Sequence, residues 1–172
     1  MGHTEHTTSY YAASANPSPQ RPALQGSCET DICIIGAGFT GISAGLFLAE
    51  QGYKVTVLEA ARVGWGASGR NGGQIVNSYS RDIDVIERTS SPEHAALLGK
   101  MAFEGASIIR QRVAHYGIRC DLHDGGIFAA LTERQLGHLE QQQQLWQKYG
   151  NDQLTLLDQR PIQQRVGSER YV

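Results

Sequence analysis

The stretch TDICIIGAGFTGISAGLFLAEQGYKVTVLE, residues 30–59, decides the fold of this chain. It begins with an apolar run from Asp31 to Ile35, which is typical of a strand buried on both faces of a parallel sheet. The run leads directly into GAGFTG at residues 36–41, with the spacing G-x-G-x-x-G. This spacing alone is a weak signal, and its meaning depends on the elements that flank it.

The flanking elements point to one kind of site. A helical pattern of apolar residues follows the glycines and is predicted to end at Gly52. Lys54 to Leu58 is predicted to form a second strand, and Glu59 stands at its tip, 18 residues after Gly41. A strand, a glycine turn, a helix, a second strand and a terminal acid together predict a dinucleotide-binding βαβ unit.

Each residue type in the motif has a physical role. Gly36 permits the tight turn out of the strand, Gly38 has no side chain to hold a pyrophosphate away, and Gly41 lets the helix pack closely on the sheet. The N–H groups and the positive dipole end of the helix then face the phosphates. Glu59 can accept hydrogen bonds from a ribose hydroxyl, and its charge disfavours the 2′-phosphate of NADP. The alternative is a glycine-rich turn that binds nothing.

The segment after Glu59 favours FAD over NAD. Residues 61–74 read ARVGWGASGRNGGQ, with five glycines from Gly64 to Gly73. Such a run can form anion-binding nests and lets the backbone approach a flat ligand closely. Charged and neutral polar side chains are interspersed with the glycines: Arg62, Ser68, Arg70, Asn71 and Gln74. The alternative interpretation is a flexible surface loop.

GAGFTG, Glu59 and above all GASGRNGGQ at residues 66–74 resemble the FAD-dependent oxidoreductases of the D-amino-acid oxidase superfamily. The resemblance implies an α/β fold, with a Rossmann-like FAD-binding βαβ domain and the beginning of a second, α+β substrate domain. The expected organisation is an irregular arm at 1–27 and the oxidoreductase domain at 28–172. That domain would comprise the βαβ unit at 31–59, a flavin loop at 60–78, and helices with the start of the substrate region at 80–172.

The same resemblance implies a set of FAD-binding residues. Gly36, Gly38, Phe39, Thr40 and Gly41 would meet the pyrophosphate, and Glu59 the adenosine ribose. Arg62 and Ser68 would lie along the phosphate and ribityl region. Arg70, Asn71, Gly72, Gly73 and Gln74 would run toward the isoalloxazine, and Ala60 and Ala67 complete the set. No residue is assigned as a catalytic acid or base.

The implied activity is the oxidation of a small-molecule amine, with FAD accepting a hydride equivalent from the carbon beside the nitrogen. Hydrolysis of the imine would give an aldehyde, and dioxygen would be reduced to hydrogen peroxide. Two alternatives stay open: a non-catalytic FAD- or ADP-binding fragment, and an NAD-binding Rossmann domain. Because members of this family are much longer than 172 residues, the chain is expected to be truncated and to have little or no activity alone.

Composition and charge argue against other classes of function. The 15 basic residues are scattered among 17 acidic ones, so no footprint for nucleic acid or for a membrane surface is seen. No apolar run is long enough for a transmembrane helix, and the N-terminal sequence lacks the apolar segment of a signal peptide. A cytoplasmic location is therefore expected.

Cysteine and histidine are not predicted to form a metal site. Cys28, Cys33 and Cys120 lack the spacing of metal ligands, and the six histidines form no ligand set. Cys33 is predicted to be a buried thiol that acts as a small apolar group in the first strand.

Helices are predicted from Ser80 to Glu87, from Pro92 to Tyr116, from Thr132 to about Tyr149, and after Asp158. Short strands are predicted from Ile127 to Leu131 and from Leu154 to Leu157. The buried face of the long helix is predicted to comprise Leu97, Leu98, Met101, Ile108, Ile109 and Val113.

Overall fold

The structure, a computed structural model, describes residues 6–76, 79 and 82–172. The chain divides into two compact units, Met1–Gln74 and Ile75–Val172. The predicted end of the flavin loop at 77 and 78, and the predicted helix start at 80 and 81, lie outside the described residues. Among the helices that are described, none has the length and apolar character needed to cross a membrane.

The first unit contains the predicted βαβ arrangement. Strand β1 is Ile32–Ile35 and strand β2 is Val55–Leu58. They pair in parallel, with Ile32 opposite Val55 and Ile35 opposite Leu58. Parallel strands require a crossover connection, and here a helix, Phe39–Glu50, provides it.

This crossover helix, α2, approaches the strands closely because a glycine faces them. Gly45 is the buried residue of the helix. A Cβ at that position would lie 3.2 Å from Val57 Cγ2 and 3.5 Å from Ile34 Cδ1. The helix ends as predicted, since Gly52 has a φ of +89° and its N–H donates to the carbonyl of Ala49 at 2.9 Å.

The opposite face of the two strands is exposed. Side chains alternate along a strand, so Ile34 faces α2 while Cys33 and Ile35 point to the other side. The Cys33 thiol is exposed, and Ile35 is 80% exposed. The prediction of a strand buried on both faces, with a buried Cys33, is therefore wrong in the described structure, where helix α2 covers one face.

The N-terminal arm also differs from expectation. It contains a short helix, α1, at Tyr10–Ser14. The Ser9 hydroxyl caps it by accepting from the N–H of Ala12 at 3.2 Å. The prediction of an irregular arm is therefore wrong for these residues, which form one turn of helix behind the Ser9 cap.

The second unit has four helices in its described residues. They are α3 at Ile83–Thr89, α4 at Pro92–Tyr116, α5 at Glu133–Lys148 and α6 at Gln159–Val166. The predicted start of α4 is confirmed, since Ser91 Oγ accepts from the N–H of His94 at 3.3 Å. Its predicted end is confirmed by Gly117, with a φ of +57°.

Helix α5 begins at its predicted position with a variant of the capping box. Thr132 Oγ1 accepts from the N–H of Gln135 at 3.3 Å. The Gln135 side chain, however, accepts from the N–H of Leu131 at 2.8 Å, one residue earlier than in the usual box. The predicted start of α5 is therefore confirmed, and the Gln135 side chain bonds to the residue before the N-cap.

The two predicted strands in this unit are wrong. The segment 127–131 forms no ladder, and the carbonyl of Ala130 accepts from the N–H of Val172 at 3.0 Å. In the segment 154–157, the Leu154 carbonyl accepts from the side-chain amide of Gln143 at 2.9 Å. An apolar run becomes a strand only when a partner strand pairs with it, and in the described residues β1 and β2 alone pair.

The predicted buried face of α4 is also largely wrong. The buried residues of the helix are Ala95 and Gly99, both near its start. The large apolar side chains are substantially exposed: Leu97 55%, Met101 50%, Ile109 45% and Ile108 39%. Helix α4 has 25 residues, and the contacts that bury it in the described structure lie at its N-terminal end.

A cluster of contacts in this unit surrounds Glu87, near the end of α3. Glu87 Oε1 accepts from Lys148 Nζ at 2.5 Å and from the Tyr149 hydroxyl at 2.6 Å. The Lys148 ammonium, then the Tyr149 hydroxyl, hold the pKa of the Glu87 carboxyl below its usual value. The Tyr149 ring lies against Gly99, where a Cβ would come within 2.2 Å of it. The cluster therefore connects α3, α4 and the end of α5.

Candidate dinucleotide-binding site

The turn between β1 and α2 requires glycine at two positions. Gly36 has a φ of +99°, and its N–H donates to the carbonyl of Leu58 at 2.7 Å. Gly41 lies in the first turn of α2, where a Cβ would come within 2.0 Å of the Gly36 carbonyl oxygen. This is the close approach of helix to strand that the motif predicts for Gly41.

Gly38 and the glycine-rich loop meet at the start of α2. Gly38 is the N-cap residue of α2, and it has no side chain that could accept from the free N–H groups of the first helical turn. The Ser68 hydroxyl accepts from the N–H of Phe39 at 2.9 Å. A Cβ on Gly38 would lie 3.0 Å from that hydroxyl oxygen. The loop therefore contacts the helix end at which a phosphate is expected.

Glu59 forms a second connection between the turn and the loop. Its Oε2 accepts from the N–H of Ala37 at 2.7 Å, and its Oε1 from the N–H of Ala61 at 3.1 Å. The bond from Ala37, followed by that from Ala61, holds the pKa of the Glu59 carboxyl below its usual value. An ionised carboxylate has about four acceptor sites, so it retains capacity for a ribose hydroxyl.

A third connection joins two backbone groups. The N–H of Gly64 donates to the carbonyl of Ala37 at 2.9 Å. Ala37 is itself buried, with 3% of its surface exposed. Both polar backbone atoms of this one turn residue are therefore bonded, to Glu59 and to the loop.

The loop is folded by its own polar groups. Residues Ala67–Gly69 form a single 3₁₀ turn. The Asn71 side-chain amide donates to the carbonyls of Ala67 at 3.2 Å and Ser68 at 2.9 Å, and its oxygen accepts from the N–H of Gly73 at 2.9 Å. Asn71, predicted to face the cofactor, therefore has a structural function in this loop.

Arg70 stacks on an aromatic ring that lies outside the predicted set. Its guanidinium carbon is 4.7 Å from the centroid of the Trp65 ring, which is cation–π geometry. The signal available in the sequence was an arginine close to a tryptophan within a glycine-rich segment. The contact with Trp65 therefore positions the Arg70 guanidinium within the loop.

The structure brings only part of the predicted set together. Direct contacts join the start of α2 to the loop through Phe39 and Ser68, and Glu59 reaches the turn through Ala37. Arg70, Asn71 and Gly73 contact other residues of the loop. Other predicted residues lie in the same two segments: Thr40 in the first turn of α2, and Ala60, Arg62, Ala67, Gly72 and Gln74 along the loop.

The sequence reasoning missed the backbone groups of Ala37, Ala61 and Gly64. These residues contribute N–H and carbonyl groups, which every residue except proline carries. No side-chain pattern could have identified them. Glu59 was predicted to accept from a ribose hydroxyl. Its bonds to the N–H groups of Ala37 and Ala61, which connect the turn to the loop, were not predicted.

Residues 31–172 match the family described as FAD dependent oxidoreductase. The chain belongs to that family. It is similar to gamma-glutamylputrescine oxidoreductase of Escherichia coli K12, with 55% identity over 168 residues, which are 98% of this chain and 39% of the relative. It is also similar to the probable oxidoreductase OrdL of Haemophilus influenzae, with 42% identity over 173 residues, which are 100% of this chain and 40% of the relative.

A second probable oxidoreductase OrdL, from Rhizobium meliloti, is 32% identical over 167 residues, which are 95% of this chain and 38% of the relative. The chain spans about two fifths of the length of these curated relatives. No solved structure matches it at a significant level. Membership of the FAD-dependent oxidoreductase family confirms the resemblance based on GAGFTG and GASGRNGGQ.

The residues present fit the flavin cofactor that the family implies. A Cβ at Gly36 would meet no atom within 4 Å, so the outside of the turn is open. The first turn of α2 offers N–H groups and the positive end of its dipole, which suit a phosphate. The ionised carboxylate of Glu59 suits a ribose hydroxyl. Donors suited to a pyrophosphate and an acceptor suited to a ribose are therefore present.

Proposed function

We propose that this chain forms the FAD-binding part of an oxidoreductase that oxidises an amine of the gamma-glutamylputrescine type. One observation carries the proposal: hydrogen bonds connect the glycine turn to the acid at the tip of β2 and to the glycine-rich loop. Glu59 accepts from the N–H of Ala37 in the turn, and Ser68 of the loop accepts from the N–H of Phe39. The 55% identical relative, named for gamma-glutamylputrescine, supports the class of substrate.

In this proposal the residues of the chain bind and orient. The start of α2 receives the pyrophosphate, with Gly36, Gly38 and Gly41 permitting its approach. Glu59 accepts from the adenosine ribose. Residues along the loop would meet the phosphate, ribityl and ring portions: Ala60, Arg62, Ala67, Ser68, Arg70, Asn71, Gly72, Gly73 and Gln74. FAD bound by these residues would supply the acceptor for the electrons of the amine, with dioxygen as the proposed final acceptor.

The remaining parts of the interpretation are also proposals. A Rossmann-like FAD domain followed by a second substrate domain is the architecture that we propose for the whole protein. The division at 27, 59 and 78 remains a prediction, as does a cytoplasmic location. Family membership favours FAD over the NAD-binding alternative.

A non-catalytic FAD-binding fragment is the second candidate function. One observation favours it for this chain by itself, namely that the face of β1 opposite α2 is open to solvent, with Ile35 80% exposed. Catalysis requires a substrate held in a defined orientation, which contributes ~7–11 kcal/mol to lowering the barrier. An open face does not hold a substrate in that way.

The first experiment separates these functions. The 172-residue chain is purified, mixed with FAD, passed through gel filtration and examined for flavin absorbance. Hydrogen peroxide is then assayed with gamma-glutamylputrescine. We expect bound flavin and little or no peroxide. A chain that retains NAD and excludes FAD contradicts the proposal, and turnover at ~1 s⁻¹ or faster contradicts the expected inactivity.

Glu59→Ala is expected to weaken FAD binding by roughly 10- to 150-fold. The change removes charge-assisted hydrogen bonds worth ~1.5–3 kcal/mol. The measurement is a titration of flavin fluorescence in the ligand-free chain, with Glu140→Ala as the control because Glu140 is an exposed helix glutamate. An unchanged affinity in the Glu59 variant contradicts the ribose assignment.

The same carboxylate predicts a pH dependence of stability. Because backbone N–H groups lower the pKa of Glu59 in the folded chain, its contribution is fully present above the pKa of the unfolded chain. The contribution is lost as the pH falls through the lower pKa of the folded chain. Thermal unfolding of the ligand-free chain should therefore lose less stability in acid for Glu59→Gln than for wild type. If the thermal stability of the two proteins depends on pH in the same way, the assigned contribution of the Glu59 carboxylate is wrong.

A further inference from the structure

We propose that Ser68 is a positioning residue for the cofactor. Its hydroxyl caps α2 from the glycine-rich loop and thereby assembles the anion-facing end of the helix before the cofactor binds. The proposal rests on the proposed function, since FAD affinity is one of its two readouts. The second readout, the protection of one backbone amide, does not depend on FAD.

Helix α2 is capped in a different way from other helices of this chain. The first N–H groups of a helix lack partners, and a serine or threonine at the N-cap position usually accepts from one of them. Within the described residues such a local hydroxyl caps three helices: Ser9 caps α1, Ser91 caps α4 and Thr132 caps α5. Helix α2 has Gly38 at the N-cap position, and glycine has no hydroxyl. The capping hydroxyl is instead that of Ser68, which accepts from the N–H of Phe39 across a sequence separation of 29 residues.

The geometry of Gly38 supports this assignment. Gly38 has φ −85° and ψ −172°, a conformation that any residue can adopt. Glycine is therefore not needed there for the backbone angles. A Cβ would lie 3.0 Å from Ser68 Oγ and 4.0 Å from Ser68 Cβ, so the missing side chain makes room for the capping hydroxyl.

The loop holds Ser68 from its other side. The Asn71 side chain donates to the Ser68 carbonyl at 2.9 Å, within the 3₁₀ turn that presents the hydroxyl. A hydroxyl accepts through its lone pairs and also has one proton to donate. Ser68 can therefore accept from Phe39 and donate to an oxyanion at the same helix end, where anions are favoured. Its position lets one side chain fix the loop and face a phosphate.

The experiment compares three single variants of the 172-residue chain. Ser68→Ala removes the cap, Ser68→Thr retains a hydroxyl, and Ser91→Ala removes a cap of the same chemistry from α4 in the second unit. Amide hydrogen exchange at Phe39 is measured by NMR without cofactor, and FAD affinity by fluorescence titration.

We expect faster exchange at Phe39 and roughly fivefold to tenfold weaker FAD binding for Ser68→Ala, as for the loss of one helix cap. Ser68→Thr should restore both properties to within about twofold of wild type. Ser91→Ala should leave the exchange at Phe39 and the FAD affinity unchanged. Rescue by threonine and the control together distinguish positioning from a general loss of stability.

A double variant tests the link between Gly38 and Ser68. Gly38→Ala alone should displace the hydroxyl and weaken FAD binding. In the Ser68→Ala background the same substitution should weaken binding by a smaller factor, because the hydroxyl it displaces is already absent. Equal factors in the two backgrounds contradict the assigned contact.

The outcomes separate this proposal from the proposed function. Wild-type exchange at Phe39 in Ser68→Ala overturns the cap, whether or not FAD binds. Altered exchange with an unchanged FAD affinity overturns the positioning of the cofactor. Failure of the wild-type chain to bind FAD overturns both the proposed function and the proposal that Ser68 positions the cofactor. In that case the exchange data still show whether Ser68 caps α2.

Discussion

Gly38→Val is expected to abolish detectable FAD binding by this chain. The branched side chain would start 3.0 Å from Ser68 Oγ and would extend into the space at the start of α2 where the pyrophosphate is proposed to lie. Loss of two charge-assisted bonds to the phosphates corresponds to ~3–6 kcal/mol, or roughly 100- to 20,000-fold in affinity.

The measurement is retention of flavin after gel filtration, followed by fluorescence titration. Circular dichroism of the ligand-free variant establishes whether it is folded. Gly126→Val is the matched control, because a Cβ at Gly126 would meet no atom within 4 Å. A folded Gly38→Val protein that retains normal FAD affinity would show that the glycine motif is a structural turn only.

Gly41→Ala is expected to destabilise the first unit even without a cofactor. The new Cβ would lie 2.0 Å from the Gly36 carbonyl oxygen and 3.3 Å from Ile34 Cγ2. The oxygen belongs to the backbone, so it cannot rotate away, and α2 must move off the strands. Forced overpacking of this kind costs ~3 kcal/mol. For a unit of this size that cost lowers the Tm by about 10 °C or more.

Gly137→Ala is the control for this prediction. Gly137 lies within α5, and a Cβ there would meet no atom within 4 Å. Alanine is the better helix former, so the control should gain up to ~1 kcal/mol. Thermal unfolding by circular dichroism compares the two variants with wild type. A stable Gly41→Ala protein would contradict the close approach of α2 to the turn.

Much of the fold was predictable because its signals are local. The crossover from β1 through α2 to β2 follows from the glycine motif and from the apolar runs on each side of it. The ends of α2 and α4 follow from Gly52 and Gly117, because glycine adopts a positive φ without a steric cost. The start of α4 follows from Ser91, because a cap acts within three residues.

The incorrect predictions share one cause, which is that burial and pairing depend on partners distant in sequence. The apolar pattern at 127–131 is compatible with a strand, yet a strand also needs a neighbour. The apolar side chains of α4 at Leu97 and Met101 are compatible with a core, yet they are half exposed. Cys33 is exposed for the same reason, since a sheet face is buried only where another element covers it.

For the candidate site, the sequence by itself determined which residues are present: the three glycines of the turn, the acid at the tip of β2 and the polar groups of the loop. Only the tertiary structure decided which of them meet. It placed Ser68 on the N–H of Phe39 and Glu59 on the N–H of Ala37. The physical reason is that these bonds use backbone N–H groups, which every residue except proline carries. Which N–H group a side chain accepts from therefore depends on the tertiary structure.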